Sequence, residues 1–241
     1  MRIARRGMRS PLVLFLLGWL ALPLLASGDF WIKKPYQNWN AEETQRITEE
    51  SPWATTVKLG GIQPAVFQGP NNNGYHGEME ADPFVSYNIQ FRSALPIRQA
   101  EVRSSQIGAH YEKLNAEQKA AFDANAGKFL AAQFPDKVLI SVTFHTNVQN
   151  YESQLRNYWA SENAAKLSMS VFLNAGKDRL TLTGYNFKDD TFQFTFPRPH
   201  VPPEEKVGVE FVHPRMGSVG EQRILQEFNL KKMVVNGEPS F

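Results

Sequence analysis

The order of the hydrophobic patterns along the chain predicts an α+β fold built on an antiparallel sheet of about five to seven strands. Helix-type periodicity is concentrated in the first half and strand-type alternation in the second, which is typical of α+β proteins. Several strand segments alternate apolar and polar side chains, which favours antiparallel pairing with one face on a core. An α-hairpin and a short N-terminal helix are expected to pack against this sheet.

The short N-terminal helix is predicted over residues 40–50. Asn40 is a favoured N-cap residue and Glu43 lies three positions later, as in a capping box. Pro52 ends the helix because the residue before a proline disfavours helical geometry. Three tryptophans flank the helix: Trp31, Trp39 and Trp53. They form either a platform for a sugar or peptide or anchors for a helix too short to be stable alone, and the anchor interpretation is preferred.

A polar segment rich in glycine and asparagine follows over residues 69–83 and predicts a loop. Acidic and histidine side chains alternate along it: His76, Glu78, Glu80 and Asp82. Oxygen-rich loops can hold a hard cation, but this spacing does not match the calcium-loop pattern. A solvated loop is the preferred interpretation, and cation binding over residues 76–82 stays open.

The first clear strand is predicted over residues 84–92, where Val85, Tyr87, Ile89 and Phe91 alternate with polar side chains. An α-hairpin is predicted over residues 96–134, with Pro96 in the first turn of one helix and Asn115 capping the next. The apolar face of its first helix is expected to contain the following residues: Ile97, Ala100, Ser104, Ile107, Tyr111 and Leu114. The second helix is expected to turn Phe122, Ala126, Phe129 or Leu130, and Phe134 inward.

The second half of the chain is predicted to be mostly β-structure. Alternating patterns predict strands over these ranges: 137–146, 167–174, 179–187, 191–197, 207–213 and 223–235. One further helix is expected over 150–163. Residues 188–190 are expected to form a tight hairpin turn, and the proline-rich residues 197–203 an extended loop.

Residues 1–28 have the pattern of a secretory signal peptide. Four arginines precede an apolar run over residues 11–26, and small residues end the segment. Cleavage near Gly28 is expected to leave residues 29–241 as a single exported α+β domain, with residues 29–68 as an N-terminal docking segment, in the periplasm or secreted. Retention of residues 11–26 as an anchor is the alternative, although the run is short for a membrane span.

Composition limits the function classes further. Loss of the four N-terminal arginines changes the net charge from +2 to −2, which gives no case for nucleic-acid binding. No integral membrane segment is expected after cleavage. The absence of cysteine excludes disulfides, thiolate catalysis and iron–sulfur ligation. The sequence predicts neither a partner nor an oligomeric state.

Common catalytic motifs are missing from the sequence, including HExxH, GxSxG, a Walker loop, GxGxxG and SxxK. His145 is the first candidate for a hydrolase site because it shares a strand face with Ser141 and Thr143. However, four residues of strand separate Ser141 from His145 by about 13 Å, too far for a hydrogen bond. No catalytic residue, metal ligand or cofactor is therefore assigned, and of the two possibilities the sequence favours a protein that is not an enzyme.

Three segments carry a family resemblance. They are KPYQNWNAEETQRITEESPWA over residues 34–54, SALPIRQAEVR over residues 93–103, and RILQEFNLKKMVVNGEPSF over residues 223–241. Together they resemble a family of uncharacterised exported bacterial proteins with a W-x-x-E-x-x-x-I-x-x-SPWA segment, a SALPIRxA segment and an FxLKKMxxxG tail. The resemblance implies export and one unit across the mature chain, and it implies no activity.

The function expected from the sequence is a non-catalytic binding or interaction module of the cell envelope. Two alternatives stay open. One is a hydrolase whose site is assembled from distant residues including His145, and the other is an envelope-anchored structural protein that retains residues 11–26.

Overall fold

A computed structural model describes residues 30–60, 82–202, 205–235 and 237–241. Its helices are α1 (Phe30–Lys33), α2 (Ala41–Glu49), α3 (Leu95–Gly108), α4 (Ala116–Ala131), α5 (Gln149–Ser161) and α6 (Ala164–Leu167). Its strands are β1 (Ala54–Gly60), β2 (Phe84–Phe91), β3 (Lys137–Thr146), β4 (Phe172–Ala175), β5 (Asp178–Thr181), β6 (Gly184–Lys188), β7 (Thr191–Pro197), β8 (Lys206–His213), β9 (Gln222–Asn229), β10 (Val234–Val235) and β11 (Glu238–Pro239). Three 3₁₀ turns lie at Tyr36–Asn38, Tyr111–Lys113 and Leu230–Lys232.

Five strands form the first sheet in the order β1-β2-β3-β7-β6, with antiparallel pairing throughout. The predicted alternation sets its register, because apolar residues on neighbouring strands lie opposite one another. Tyr87 faces Phe144, and Val142 lies between Ile89 and Phe192. The predicted α+β class and the predicted antiparallel sheet are confirmed.

Four further strands form a second antiparallel sheet in the order β5-β4-β8-β9. The strand predicted over 179–187 is wrong as a single element, because its first part is β5 in this sheet and its second part is β6 in the first. The chain crosses between the sheets at Leu182 and Thr183, and the Thr183 backbone N–H already bonds to Thr195 of β7. The strand predicted from residue 167 begins later, at Phe172, because residues 164–167 form α6.

The predicted tight turn between β6 and β7 is present. Asp189 and Asp190 have φ angles of 49° and 60°. Positive φ at both central residues is the geometry of a two-residue type I′ hairpin, whose twist matches that of the flanking strands. Arg156 of α5 bonds to both carboxylate oxygens of Asp190 at 2.7 Å and fixes the turn against that helix.

The two sheets pack face to face through aromatic side chains, and we call this layer the sheet core. The ring centroids of Phe91 and Phe228 are 4.8 Å apart, and Phe211 of the second sheet lies 5.9 Å from Phe192 of the first. Trp159 of α5 enters the same layer and stacks on Phe192 at 4.0 Å. The phenylalanines at alternate positions of β7 therefore belong to the core.

The short N-terminal helix is confirmed as α2, and it carries the predicted capping box between Asn40 and Glu43. It lies on the outer face of the first sheet, where the amides of Asn88 and Gln90 both donate to the Thr48 carbonyl. On its other side, it packs against α3. Its predicted end before Pro52 also agrees with the structure.

The α-hairpin is present as α3 and α4, but its details differ from the prediction. The first helix ends at Gly108 because His110 takes a left-handed φ of 49°, and Ser104 is exposed rather than inward. The second helix ends at Ala131 rather than Phe134. No residue of α4 is buried, so α4 rests on α3 with its apolar face only half-covered.

From Trp31 onward, the described residues form one compact unit. The signal-peptide prediction for residues 1–28 lies outside the described residues, as do His76, Glu78 and Glu80 of the loop over 76–82, so both interpretations stay predictions. Within the described ranges, no helix combines the length and the apolar character that a membrane span requires.

Candidate functional site

Four cavities border α3, α4 or the turns that connect them. The largest of the four, with a volume of about 470 Å³, lies where the C-terminal end of α4 meets the N-terminal end of α3. We call it the arginine cavity, and these residues line it: Ser93, Leu95, Arg98, Leu130, Ala132, Gln133, Phe134, Pro135, Arg198, Pro239, Ser240 and Phe241.

Arg98 lies in the first turn of α3 and reaches the end of α4. Its Nη1 donates to the carbonyl oxygens of Phe129, Leu130 and Ala132 at 2.9, 2.8 and 2.9 Å. These are the carbonyls that the end of a helix leaves without partners, and a cation there also interacts favourably with the helix dipole. Arg98 therefore links α4 to α3. It is a buried residue, with only 5% of its surface exposed.

The other edge of the Arg98 guanidinium is unused by the described residues. Nε is buried and has no hydrogen-bond partner, and Nη2 forms no hydrogen bond with the described chain. The Nε–H and Nη2–H bonds of a guanidinium point the same way, which is the side-on geometry that receives two carboxylate oxygens. A buried donor without a partner costs about 1–3 kcal/mol. Nε itself has no surface open to the cavity, so a ligand acceptor reaches this atom only after the side chain shifts.

Arg198 follows β7 and brings a second guanidinium to the same cavity. Its Nε donates to the Phe134 carbonyl at 3.2 Å, and its Nη2 donates at 2.6 Å to a terminal oxygen of Phe241, the last residue of the sequence. The guanidinium carbon lies 4.9 Å from the Phe241 ring centroid. Nη1 forms no hydrogen bond with the described residues, so Arg198 too keeps a donor that the protein does not use.

The charged side chains of the cavity are both positive. They belong to the two arginines, no aspartate or glutamate lines the cavity, and neither arginine pairs with an acidic side chain of the described residues, although Arg198 contacts the terminal oxygen of Phe241. Burial lowers the pKa of both guanidiniums from their ordinary value. The same burial means that the two charges are held at a cost in solvation, which an anion in the cavity would offset.

Smaller polar groups and an apolar wall complete the cavity. Ser93 Oγ accepts from the Leu139 N–H and Ser240 Oγ from the Leu95 N–H, which leaves each hydroxyl proton able to donate. Leu130, Phe134, Pro135, Pro239 and Phe241 supply the apolar surface. The arrangement can bind a small molecule that carries both a negative charge and an apolar part.

The tryptophans that the sequence singled out act as anchors. Trp39 and Trp53 are 1% and 0% exposed. Their indole N–H groups donate to the carbonyl oxygens of Lys34 and Ser240. A platform for a sugar or peptide would need exposed ring faces. Trp39 and Trp53 instead anchor the N-terminal segment to the rest of the protein.

The histidines among the described residues are dispersed. His145 is exposed on the outer face of β3, its ring makes no hydrogen bond with the described residues, and it lines none of the four cavities. Ser141, its proposed neighbour, is buried on the same strand face. His200 is exposed, whereas His213 is fully buried and its Nδ1 lies 2.7 Å from the Tyr87 hydroxyl. The described residues contain no group of three or more side chains able to hold a metal ion.

Sequence reasoning did not find either arginine of the cavity. Arg98 lies beside Ile97 on a helix whose inward face is predicted from apolar residues alone, and Arg198 lies in a segment that the sequence predicts to be a surface loop. A buried arginine needs acceptors, and here the acceptors are backbone carbonyls, which no sequence pattern displays. His213 did carry a signal, because it continues the inward alternation of Val207, Val209 and Phe211.

Comparison with known proteins assigns no role to the site, so its interpretation depends on its own chemistry. The family resemblance of residues 34–54, 93–103 and 223–241 stays a prediction. No protein-family model, no curated protein and no solved structure matches the chain.

Proposed function

We propose that the protein is an exported, non-catalytic binding module that holds a small organic anion in the arginine cavity, with the carboxylate of the ligand on Arg98. The observation that carries this proposal is that two partly desolvated guanidiniums, those of Arg98 and Arg198, line one cavity without an acidic side chain. A planar guanidinium held by backbone acceptors is suited to a carboxylate, and Arg supplies this planar geometry where Lys does not.

The second arginine and the apolar wall define the rest of the ligand. Arg198 adds a donor at Nη1, and the rings of Phe134 and Phe241 offer surface for an apolar body. A volume of about 470 Å³ lies in the range of small-molecule sites. The best candidate is therefore a monocarboxylate with a short aliphatic or aromatic body.

Binding fits the cavity better than catalysis does. The described residues that line it supply donors and apolar surface, and they include neither an acidic side chain nor a histidine to move a proton. His145, the candidate base of the hydrolase alternative, lies outside all four cavities. No observation on the described residues favours that alternative or the anchored structural protein.

Isothermal titration calorimetry of the purified protein, expressed from its full sequence, tests the proposal. The probes are acetate, hexanoate, phenylacetate and inorganic phosphate. Hexanoate or phenylacetate should bind more tightly than acetate because both can use the apolar wall. No heat from either at about 10 mM, or a preference for phosphate, would contradict the proposal.

Substitution of Arg98 supplies the matching variant. Arg98→Lys keeps the positive charge and can still reach the α4 carbonyls, but it lacks the side-on pair of donors. Affinity for phenylacetate should fall on the order of 10-fold, the cost of one charge-assisted hydrogen bond. Arg156→Lys, on an exposed arginine of α5, is the control and should leave the affinity unchanged.

Export is tested separately. Mass spectrometry of the protein recovered from an expressing bacterium should give an N-terminus near Asp29 and place the protein outside the cytoplasm. A species that retains residues 11–26 in the membrane fraction would favour the anchored alternative.

A further inference from the structure

Two adjoining cavities form a groove on the side of α3 that faces the turn Tyr36–Asn38. Their volumes are about 400 and 300 Å³, and they share Arg103, Gln106, Tyr111 and Glu112. We call the combined space the tyrosine groove, and its polar lining includes Tyr36, Arg103, Gln106, Tyr111, Glu112 and Asp123. It is separate from the arginine cavity, because Leu130 is the one described residue that lines both.

Hydrogen bonds within the protein fix the polar side chains of the groove. Arg103 donates from Nε to the Trp39 carbonyl at 2.7 Å and from Nη1 to Gln106 Oε1 at 3.2 Å. The Tyr111 hydroxyl donates to the Asp123 carboxylate, at 2.9 and 2.8 Å from its two oxygens. These bonds hold the Arg103 guanidinium, the Asp123 carboxylate and the Tyr111 ring in place before any ligand binds, which lowers the entropic cost of binding.

Several groups in the groove keep unused hydrogen-bonding capacity. Arg103 Nη2, Gln106 Nε2 and the Tyr36 hydroxyl make no hydrogen bonds with the described residues. The Asp123 carboxylate has four lone-pair positions and receives a single hydroxyl. The groove therefore offers donors and acceptors together, in contrast to the arginine cavity, which offers donors in excess.

The charged side chains that line the groove balance one another. Arg103 and Lys113 are accompanied by Glu112 and Asp123. Lys119 lies beside this lining, with its Nζ 3.2 Å from the Glu112 carbonyl oxygen and 5.5 Å from the Tyr111 ring centroid. Burial and the nearby Asp123 raise the pKa of Tyr36, so its hydroxyl stays neutral and can both donate and accept. Such a surface gives no net attraction to an anion or a cation, and it suits an uncharged ligand rich in hydroxyl groups.

We propose that the tyrosine groove binds an uncharged saccharide. Neighbouring hydroxyls of a sugar ring are each donor and acceptor, and a pair of them can bond to a planar bidentate group such as the Asp123 carboxylate or the Arg103 guanidinium. The apolar C–H face of a sugar ring can lie against an aromatic ring, and Tyr36 and Tyr111 both border the groove. The inference is independent of the anion proposed for the arginine cavity.

An array of neutral and acidic oligosaccharides, probed with the purified full-chain protein, tests the inference. We expect retention on neutral members, followed by a measurable affinity for the retained saccharide by titration calorimetry. Retention on acidic members alone, or on none, overturns the inference. So does retention of uncharged peptides, spotted on the same surface, that is lost with the groove variants below.

Two variants connect binding to the groove. Asp123→Asn keeps the shape of the side chain but removes its charge, and it should weaken binding on the order of 10-fold. Tyr36→Phe removes one hydroxyl and should weaken binding several-fold. Asp178→Asn and Tyr158→Phe make the same chemical changes away from the groove and should leave affinity unchanged. Equal binding by all four variants overturns the assignment.

Two measurements distinguish binding at the tyrosine groove from binding at the arginine cavity and from a general loss of folding. Arg98→Lys should leave saccharide binding unchanged, and Asp123→Asn should leave phenylacetate binding unchanged. Each groove variant should also retain the melting temperature of the native protein to within a few degrees, since both substituted side chains are near the surface. Loss of both activities in one variant would contradict the assignment of two separate sites.

Discussion

The side chains of the sheet core are fully buried, whereas those of the α3–α4 hairpin are buried only in part. In the sheet core, Phe192, Phe211 and Trp159 are fully buried and their rings contact one another. In the hairpin, α4 has sixteen residues and none is buried. The four cavities described above border the hairpin or its connecting turns. The difference indicates that stability resides mainly between the sheets, while the hairpin contributes concave surface.

Truncation of one phenylalanine in each region should show the difference at its largest. Phe211→Ala removes a fully buried ring from the sheet core and should lower the free energy of unfolding by about 3–5 kcal/mol. Phe129→Ala removes a half-buried ring from α4 and should cost about 1 kcal/mol or less. Urea unfolding measures both. Equal losses would show that the hairpin contributes to the same core, contrary to the comparison.

Acid should weaken the sheet core through His213. Burial lowers the pKa of its imidazole to about 4, below the ordinary value of about 6.5 that the unfolded chain retains. Between these values the unfolded state binds a proton and the folded state does not. The free energy of unfolding therefore decreases as the pH falls from about 6.5 to about 4, by about 3 kcal/mol for this group.

Urea unfolding at pH values across this window tests the effect of His213. His213→Gln should lose this part of the pH dependence and keep the part that arises from carboxylates. His145→Gln changes an exposed histidine and should behave as the native protein does. If His213→Gln retains the full dependence, another group must be the source.

The fastening of α4 by Arg98 should be visible in hydrogen exchange. Amides of α4 should exchange through local openings, whereas those of β2, β3 and β7 should exchange only on global unfolding. Arg98→Gln removes the charged donor from three helix-end carbonyls and should lower the protection of α4 by about 1–2 kcal/mol. Arg156→Gln is the control. An equal loss of protection in the strands would mean that α4 and the sheets unfold as one unit.

The same contrast explains how far the sequence predicts this structure. Strands β2, β3 and β7 follow from strict alternation, because a strand with one buried face must alternate. The starts of helices α2 and α4 follow from their N-caps, Asn40 and Asn115, since both capping boxes depend on residues three positions apart. Strand alternation and helix capping depend on residues that are close together in sequence, so each can be predicted from one segment of the chain.

Features that depend on distant partners were not predicted. The residues of β1 were assigned to a docking segment, although β1 pairs along its whole length with β2. The alternation over 179–187 is continuous, and it does not show that the strand changes sheets at Leu182. The arginine cavity joins Arg98 and Arg198, one hundred positions apart, through carbonyl acceptors that any residue could provide.

The smallest expected effect concerns the turn between α3 and α4, where His110 has a φ of 49°. A left-handed conformation costs a residue with a Cβ atom about 1–2 kcal/mol, while glycine adopts it freely. Glycine also gains more conformational entropy on unfolding, which offsets about half of this benefit. His110→Gly should therefore stabilise the protein by about 0.5 kcal/mol, measured by urea unfolding, whereas Ser104→Gly in the interior of α3 should destabilise it by a similar amount. A loss of stability in His110→Gly would mean that the His110 side chain makes a contact that holds the hairpin together, and that the hairpin is less loosely packed than its burial indicates.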